Sequence, residues 1–521
     1  MTFVQKLGAV IAFVYIARLI YRRVSRGVRN NQADAALSLR HGTKLPPELT
    51  KRWPLGIDRI AELWRANADG HLLEFLCSIA KEYDHEDGNS GCQHLLIGPR
   101  AFYVLHPQNV ETLLSTNFKD YGFGSRPAVF APLLGKGIFT QEGEAWRHSR
   151  ELLRKQFVRV QYQNLDHFRE HVDNLVSCLL TKKPVDLQPL FFNLTLDTTT
   201  ALLFGRSVYS LRASVDQAAE NKEFAENFNI AQEGLAKRFR LTPFHFLYNP
   251  GRFRRACQKV HRFVERYIQQ SKQQSRNTAR DQSSWFLDQL VEDSRTDAEI
   301  RDQLLNVLLA GRDTTACCLS WTFRLLVRHP NVMKRLRQEI RSIMNEDCLP
   351  TREQLRKMPF LACVVKEVLR LYPPVPLNNR EAIQTTILPT GGGPTGKSPV
   401  MVRKGELVVI SPYVNARMTN LYGEDAESFR PERWETGELS HIGWAYFPFH
   451  GGPRQCLGED FALMEIYYTT VRLLQTFPKI CLPEGEIVEP VGKERQRLTL
   501  VLSSADGCRV SLSQSTVALA P

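Results

Sequence analysis

The chain has 521 residues, and its 68 lysines and arginines outnumber its 55 aspartates and glutamates, which gives a net charge of +13. With 43% hydrophobic and 24% charged residues it has the composition of a globular protein, which excludes a disordered chain, a collagen and a multi-spanning membrane protein. The eleven cysteines include no C-x-x-C pair, a pattern typical of reduced intracellular thiols.

The N-terminus predicts a single membrane anchor. The stretch from Phe3 to Ile20 is almost entirely apolar, and as a helix it would be roughly 27 Å long, enough to cross a thin bilayer. A run of arginines follows its apolar part, and the positive-inside rule then keeps the remaining chain in the cytosol. The alternative is a cleavable signal peptide, but the charge follows the apolar run and no small-residue cleavage site is present. We expect an anchor over residues 1–22 in the endoplasmic reticulum membrane, a basic, proline-containing linker over 23–56, and one catalytic domain over 57–521.

Beyond residue 60 the apolar residues recur at helical spacing, whereas strand-like patches are few. The clearest helix is predicted over 297–329, before Pro330. Short strands are predicted over 402–410 and 498–502. The predicted fold class is therefore mainly α with small β-sheets.

Aromatic residues and arginines alternate around a predicted helix break between Phe239 and Arg255. Such mixtures suit a membrane interface, where rings enter the acyl boundary and arginines meet phosphates. The alternative is a loop packed on the core.

In the predicted long helix, the sequence AGRDTT from Ala310 to Thr315 interrupts an apolar stretch. A glycine and threonines in mid-helix weaken the helix, so a compensating function is expected there. Further on, Glu367 and Arg370 lie three residues apart on one predicted helical face and can form an ion pair.

Residues 391–398, GGGPTGKS, match the phosphate-binding P-loop of NTPases. That site requires Lys397 and Ser398 to begin a helix, but Pro399 and a β-like Val-Met-Val run follow directly. We interpret the segment as a surface turn and disfavour the NTPase alternative.

The run from Phe449 to Gly458, FHGGPRQCLG, matches F-x-x-G-x-R-x-C-x-G. This sequence resembles the thiolate loop of cytochrome P450 enzymes, in which a cysteine thiolate donates electron density to haem iron for O–O cleavage. A thiolate at Cys456 requires positive potential, which Arg454 and the N-terminus of the helix that follows can supply. Gly452 and Gly458 allow a tight backbone turn beneath the flat cofactor.

The resemblance implies a cytochrome P450 fold and further roles for residues of this sequence. Cys456 is the expected metal ligand, and Asp313 and Thr314 are the expected catalytic residues that organise the protons for oxygen cleavage. Ala310 and Gly311 are expected to leave room for dioxygen. The expected haem-binding residues are Trp146, Arg150, Ala310, Gly311, Arg380, Phe449, Arg454, Cys456 and Gly458. The alternative for Trp146 and Arg150 is a solvated basic helix, and Arg433 is expected to join the Glu367–Arg370 pair.

Further motifs resemble the fungal branch that hydroxylates alkanes and fatty acids, among them the stretch from Leu369 to Ala382. The resemblance implies haem b as cofactor, an apolar lipid-like or polyketide-like substrate, and a separate NADPH-dependent flavin reductase as electron donor, with no nucleic acid partner. Basic helix residues are candidates for docking that reductase: Arg147, Arg154, Lys155 and Arg159. A haem-thiolate isomerase or dehydratase is the alternative function, disfavoured because the acid and alcohol at Asp313 and Thr314 are both present.

Overall fold

The computed structural model describes residues 14–15, 17–18, 21, 31–48, 53, 56–82, 91–94, 100–160, 165–180, 184–212, 218–274, 285–293, 296–345 and 348–513. The helices in these ranges are α1 (Asn31–His41), α2 (Ile57–Asp69), α3 (Leu72–Glu82), α4 (Pro107–Glu111), α5 (Arg126–Leu134), α6 (Gly143–Val160), α7 (Asp166–Leu179), α8 (Leu187–Phe204), α9 (Ala218–Arg240), α10 (Gly251–Gln274), α11 (Trp285–Asp293), α12 (Asp297–Arg328), α13 (Pro330–Ile343), α14 (Arg352–Arg356), α15 (Pro359–Leu371), α16 (Pro412–Asn415), α17 (Thr419–Tyr422) and α18 (Glu459–Thr476). The strands are β1 (Gly91–His94), β2 (Arg100–Val104), β3 (Tyr121–Gly122), β4 (Val185–Asp186), β5 (Asn378–Ala382), β6 (Thr386–Gly392), β7 (Ser398–Val402), β8 (Leu407–Ile410), β9 (Lys479–Cys481), β10 (Gln496–Leu498), β11 (Leu502–Ser504) and β12 (Arg509–Ser513).

The predicted class, mainly α with small sheets, is confirmed. The largest described sheet has the order β1-β2-β8-β5-β3, with β2 and β8 parallel and the other neighbours antiparallel. The remaining strands form a three-stranded sheet, β4-β12-β9, and two hairpins, β6-β7 and β10-β11. All of these strands are short, so helix packing supplies most of the core.

Helix α12 crosses the molecule and separates two apolar cores. It begins with a capping box, in which Thr296 accepts from the backbone N–H of Glu299 while the Glu299 side chain accepts from that of Thr296. Its predicted span of 297–329 is confirmed to within one residue. One core lies among α7, α8, α12, α15 and α18, and the other among α5, α8, α9, α10 and α12. The middle of α12 is therefore buried on nearly all sides.

The predicted anchor over residues 1–22 lies outside the described residues except at five positions. Among the residues described, no helix is both long and apolar enough to cross a membrane. Part of the predicted linker is folded: Asp34 of α1 is buried and pairs with Arg403 at 3.0 Å, and Lys44 N–H donates to the Pro399 carbonyl at 2.9 Å. Residues 31–45 are thus attached to the β6-β7 hairpin.

Both predicted strand patches differ from the structure in the same way. Residues 402–410 are the end of β7, a turn and then β8, rather than one strand. Residues 498–502 form the tip of the β10-β11 hairpin, where Thr499 N–H donates to the Val501 carbonyl. Apolar residues occur in these hairpin turns as well as in the strands, so the hydrophobic pattern of the sequence did not show where one strand ends and the next begins.

The segment matching the P-loop is the turn of the β6-β7 hairpin. Ser398 begins strand β7 rather than a helix, so no helix N-terminus faces a phosphate there. Close packing explains the glycine at 392 instead, because a Cβ on Gly392 would lie 2.4 Å from the carbonyl oxygen of Lys44. The interpretation as a surface turn is confirmed, and the NTPase alternative has no support.

Candidate haem-thiolate site

The loop that carries Cys456 is held in one conformation by close packing. Cys456 N–H donates to the carbonyl of Phe449 at 2.9 Å, which closes the loop before α18. Gly452 has a φ of 63°, and a Cβ there would lie 2.0 Å from the carbonyl oxygen of Leu114. A Cβ on Gly458 would lie 3.3 Å from the Phe157 ring. The loop therefore requires glycine most strictly at Gly452, and Cys456 remains exposed at its end.

The electrostatics of Cys456 differ in part from the expectation. Although Cys456 keeps accessible surface, the protein packed around its sulfur disfavours the charged form and raises the pKa of the thiol to about 11. The backbone N–H of Gly458 and the guanidinium of Arg150 lower this pKa. The positive side chain that acts on Cys456 is thus Arg150 and not Arg454. Nη1 of Arg150 donates to the Gln455 carbonyl at 2.8 Å. Coordination to a metal ion deprotonates a thiol, so a bound iron would oppose this rise in pKa.

Three arginines from distant parts of the chain meet beside this loop. Arg126 at the start of α5, Arg380 on β5 and Arg454 of the thiolate loop surround the ring of Phe123, with guanidinium carbons 4.3, 5.1 and 4.1 Å from its centroid. Burial lowers the pKa of Arg380 to about 10 and that of Arg454 to about 9, and in Arg454 the neighbouring Arg380 adds to the effect. We call Arg126, Arg380 and Arg454 the arginine cluster.

His450 and Asn378 fix the arginine cluster. Nε2 of His450 accepts from Nη2 of Arg380 at 3.1 Å and from the side-chain amide of Asn378 at 3.2 Å. Burial, together with Arg380, Arg126 and Arg454, lowers the pKa of His450 to about 3, so the imidazole is neutral and can accept at Nε2. Oδ1 of Asn378 accepts from Arg126 at 2.6 Å and from Arg380 at 3.1 Å.

The charge of the arginine cluster suits haem. The carboxylate acting on all three guanidiniums is that of Glu142, which leaves a surplus of two positive charges. Haem carries two propionate carboxylates, so the donor set and its charge fit this cofactor. Trp146 of α6 is buried beside the cluster, with the Arg454 guanidinium 4.3 Å from its ring. Arg150 lies one turn further on, between Trp146 and the thiolate loop.

The run from Ala310 to Thr315, which we call the oxygen-activating turn, lies in the middle of α12. Ala310, Gly311 and Thr314 keep accessible surface, whereas their neighbours from 302 to 309 are all buried, so these three residues form an accessible face in the middle of α12. The Thr314 hydroxyl donates to the Ala310 carbonyl at 2.8 Å. Gly311 has a packing reason that the sequence did not suggest, because a Cβ there would lie 2.9 Å from Oγ1 of Thr199 on α8. Glycine at 311 thus lets two helices approach closely, and room for dioxygen stays a prediction.

Asp313 points to the other side of the turn and is fully enclosed. One carboxylate oxygen accepts from Nη1 of Arg312 at 3.1 Å, and the other accepts from the side-chain amide of Gln232 on α9. Burial raises the pKa of Asp313 to about 6, and the contacts with Arg312 and Gln232 oppose that rise. Because its pKa lies near neutrality, Asp313 can both accept and release a proton under physiological conditions.

The predicted ion-pair network at Glu367 is confirmed. Glu367 binds Arg370 at 2.8 Å and Arg433 at 2.9 Å, and all three residues are at most 1% exposed. The Trp434 indole and the backbone N–H of Arg430 also donate to Glu367. Burial alone would raise the pKa of Glu367, but the two arginines bring it below its ordinary value. The network joins α15 to the segment that leads to the thiolate loop.

The comparisons with known proteins agree with this arrangement. The family model described as Cytochrome P450 matches residues 62–504. A protein of Arthroderma benhamiae named Cytochrome P450 is 42% identical over 98% of this chain and 100% of its own length. Cytochrome P450 52A13 of Debaryomyces hansenii is 39% identical over 96% of this chain and 97% of its own. The P450 monooxygenase himC of Aspergillus japonicus is 40% identical over 79% and 74%, respectively. A crystal structure of the cytochrome P450DA heme domain superposes with a TM-score of 0.74 at 20% identity, covering 91% of this chain and 98% of that one.

Proposed function

This chain belongs to the cytochrome P450 family and is a monooxygenase, and from that premise we propose that it inserts one oxygen atom from dioxygen into an unactivated C–H bond of an apolar, lipid-like substrate. The observation that carries this proposal is the position of Thr314 and Asp313. A hydroxyl on the accessible face of α12, and an acid of near-neutral pKa on the enclosed side of the same turn, support external proton delivery. Isomerases and dehydratases of the haem-thiolate type can dispense with such protons.

The cofactor of the family is haem b with an axial cysteine thiolate, and when bound it supplies the activation of dioxygen. In the proposed arrangement Cys456 is the ligand, and the glycines of its loop let the backbone approach the macrocycle. The arginine cluster and Trp146 hold the propionates, with Arg150 beside the thiolate. Thr314 and Asp313 hold and move protons at their hydroxyl and carboxylate oxygens.

Apolar residues support a lipid-like substrate. The accessible face of α12 adjoins the second core, to which α12 itself contributes Leu304, Leu305 and Leu308, and α5 contributes Phe130. Leu500, at the tip of the β10-β11 hairpin, packs against the same core. Apolar walls bind by area and discriminate by only about 1 to 3 kcal/mol per methylene, which suits a range of chain lengths. Such walls suit long-chain alkanes and fatty acids, the substrates of the fungal branch that this sequence resembles, and equally an apolar polyketide-like compound.

Turnover of the purified holoenzyme with a fungal NADPH-dependent reductase tests this proposal. We expect hydroxylated product from a long-chain alkane or fatty acid, with one oxygen atom from isotope-labelled dioxygen, measured by mass spectrometry. Thr314→Ala should keep the haem but release peroxide in place of product, because the hydroxyl beside the reacting face is lost. Equal product per NADPH in Thr314→Ala and wild type would contradict the role given to Thr314, and conversion of no lipid would contradict the substrate class.

Electrons are proposed to reach the haem across the face formed by α6. A groove of about 570 Å³ there is lined by Trp146 and Val158 together with basic side chains, including Arg147, Arg154 and Lys155. Arg150 connects this groove to the thiolate loop through the Gln455 carbonyl. A flavin reductase with an acidic surface would therefore dock next to the proximal side of the site. The side chain of Arg159 lies outside the described residues.

If charge guides this docking, reduction by the reductase should slow as salt rises, since exposed charges are screened beyond about 8 Å at physiological ionic strength. Stopped-flow absorbance of haem reduction measures the rate. Arg154→Glu with Lys155→Glu should lower the rate at low salt, and Lys404→Glu, an exposed residue in the β7-β8 turn, is the control. A reduction rate that is unchanged by both salt and the α6 substitutions would contradict electrostatic docking.

A location at the endoplasmic reticulum membrane is proposed, with residues 1–22 as the single-pass anchor and the catalytic domain in the cytosol. The loop between α9 and α10 supports a second membrane contact. Phe246 is 42% and Leu247 69% exposed, so the tip of this loop is not packed on the core, whereas Tyr248 at its end is. The ring of Tyr15, in the predicted anchor, lies 5.1 Å from that of Phe246 and 6.2 Å from that of Phe244. Tyr15 and the loop thus occupy the same side of the molecule.

A chain lacking residues 1–30, which keeps the contacts of α1, should still bind liposomes through this loop. Phe246→Ser with Leu247→Ser should release it, because the apolar area that enters the acyl boundary is removed. Ile487→Ser with Val488→Ser is the matched control, since both residues are equally apolar and at least 57% exposed elsewhere. Vesicle co-sedimentation measures binding, and a shortened chain that stays in the supernatant at low salt would contradict the second contact.

A further inference from the structure

Polar side chains are buried where α8, α12 and α18 meet. Thr198 and Thr199 of α8, Thr315 of α12, and Glu465 and Thr469 of α18 are each at most 2% exposed. We call these five residues the Thr–Glu cluster. None of them belongs to the thiolate loop or the arginine cluster, and no role has been assigned to them above.

The hydrogen bonds within the Thr–Glu cluster are incomplete. The Thr198 hydroxyl donates to Oε1 of Glu465 at 2.5 Å. Within the part of the chain that the structure describes, Oε2 of Glu465 and the hydroxyls of Thr199, Thr315 and Thr469 have no hydrogen-bond partner. A buried polar atom without a partner is strongly disfavoured, so each of these atoms calls for a ligand.

Other hydroxyls on the same helices show that this is not a general property of buried threonines. Thr200 of α8, and Thr314, Ser320 and Thr322 of α12, each donate to the carbonyl four residues earlier at 2.7 to 2.8 Å. That is the usual way to satisfy a hydroxyl within a helix. The hydroxyls of Thr199, Thr315 and Thr469 do not follow it, nor does that of the neighbouring Thr470 on α18, and so they remain available to a partner.

The Thr–Glu cluster borders the oxygen-activating turn directly. Thr199 packs against Gly311, because a Cβ added to Gly311 would lie 2.9 Å from Oγ1 of Thr199. Thr315 lies one helical turn after Gly311 on the same face of α12. The cluster also has both kinds of hydrogen-bonding group, because burial raises the pKa of Glu465 to about 8, so its carboxyl is mainly the protonated acid at neutral pH. A neutral acid donates through one oxygen and accepts through the other.

We propose that the Thr–Glu cluster binds buried water between α8, α12 and α18, and that Glu465 is thereby a positioning residue for the turn at Gly311. Water both donates and accepts, as one carboxyl oxygen and three hydroxyls require, and a buried water typically makes about three hydrogen bonds. Through this water the helix that follows Cys456 is linked to the turn that carries Asp313 and Thr314.

A high-resolution crystal structure of the holoenzyme tests the water directly. We expect at least one ordered water within hydrogen-bond distance of Oε2 of Glu465 and of a hydroxyl of Thr199, Thr315 or Thr469. A dry cluster at that resolution would overturn the proposal. This readout does not depend on the substrate, so it stands apart from the proposed reaction.

Two matched substitutions test the positioning role, which rests on the proposed function. Glu465→Leu should remove the water and raise peroxide release per NADPH severalfold, whereas Glu465→Gln, which keeps a donor and an acceptor, should restore the wild-type ratio. Thr469→Val, nearly isosteric and less disruptive, should show a smaller increase. Thr322→Val is the control, because that hydroxyl is satisfied within α12. If all of these variants keep the thiolate-type CO spectrum and the wild-type ratio of peroxide to NADPH, the positioning role is wrong.

Discussion

Cys456→Ser should abolish the thiolate-type absorption spectrum of the reduced CO complex and all monooxygenase activity. The neutral hydroxyl of serine cannot donate electron density to the iron as a thiolate does. The exchange changes one atom at an exposed position, and the loop geometry depends on Gly452 and on the backbone bond to Phe449, so the chain should remain folded. Visible difference spectroscopy measures the first effect, and circular dichroism measures the second.

The control for this substitution is Cys348→Ser, since Cys348 is also exposed but lies in the loop before α14, away from the thiolate loop. It should keep the spectrum. Arg150→Gln is informative in addition, because Arg150 is the guanidinium that lowers the pKa of Cys456. Haem loading of that variant should require a higher pH than in wild type. A thiolate-type spectrum that persists in Cys456→Ser would contradict the ligand assignment.

The features that the sequence predicted well are local ones. Glu367 and Arg370 lie on one helical turn, and the predicted span of α12 rests on apolar residues that recur every three or four positions. The thiolate loop is local as well, since its ligand and its glycines lie within ten residues. Short spacings are set by helix and turn geometry, and these are the same in every protein.

The features that the sequence did not reveal depend on contacts between distant segments. Arg126 and Asn378 are 252 residues apart but share a hydrogen bond, and Gln232 reaches Asp313 across 81 residues. The weak signal for Arg126 was its place at the start of a short helix among aromatic residues. No signal in the sequence indicated the burial of Arg312, because an arginine in mid-helix is expected to face solvent. In the structure Arg312 is buried between Phe192 and Phe228.

The same distinction explains the role of Arg454. Its neighbour in sequence is Cys456, and the short spacing suggested that it stabilises the thiolate. Tertiary packing instead turns its guanidinium to the Gln141 carbonyl at 3.2 Å and to the ring of Phe123. Arg150, on another helix, occupies the place beside Cys456. The spacing of residues along the chain therefore identified the thiolate loop, but it did not predict the direction in which the Arg454 side chain points.

Glu367→Ala should lower the free energy of unfolding by about 3 to 5 kcal/mol, because it leaves Arg370 buried without a counter-charge and leaves Arg433 with only the partly exposed carboxylate of Asp425. The backbone carbonyls that remain bound to Arg370, at Ala416 and Ala426, cannot neutralise its charge. Urea unfolding followed by tryptophan fluorescence measures the change. The variant should also lose haem on purification, since the network holds the segment that leads to the thiolate loop.

The matched control is Glu353→Ala, which removes a carboxylate from an exposed pair with Lys357 at 2.6 Å, where 77% of the Glu353 side chain is exposed. An exposed pair of this kind contributes little, because solvent screens it and the two side chains lose conformational freedom. Glu367→Gln should fall between the two, because the amide keeps a hydrogen-bond acceptor for the Arg430 N–H but not the charge. The ordering of the three variants separates charge from hydrogen bonding, and a Glu367→Ala protein as stable as Glu353→Ala would contradict the network's proposed role in stability.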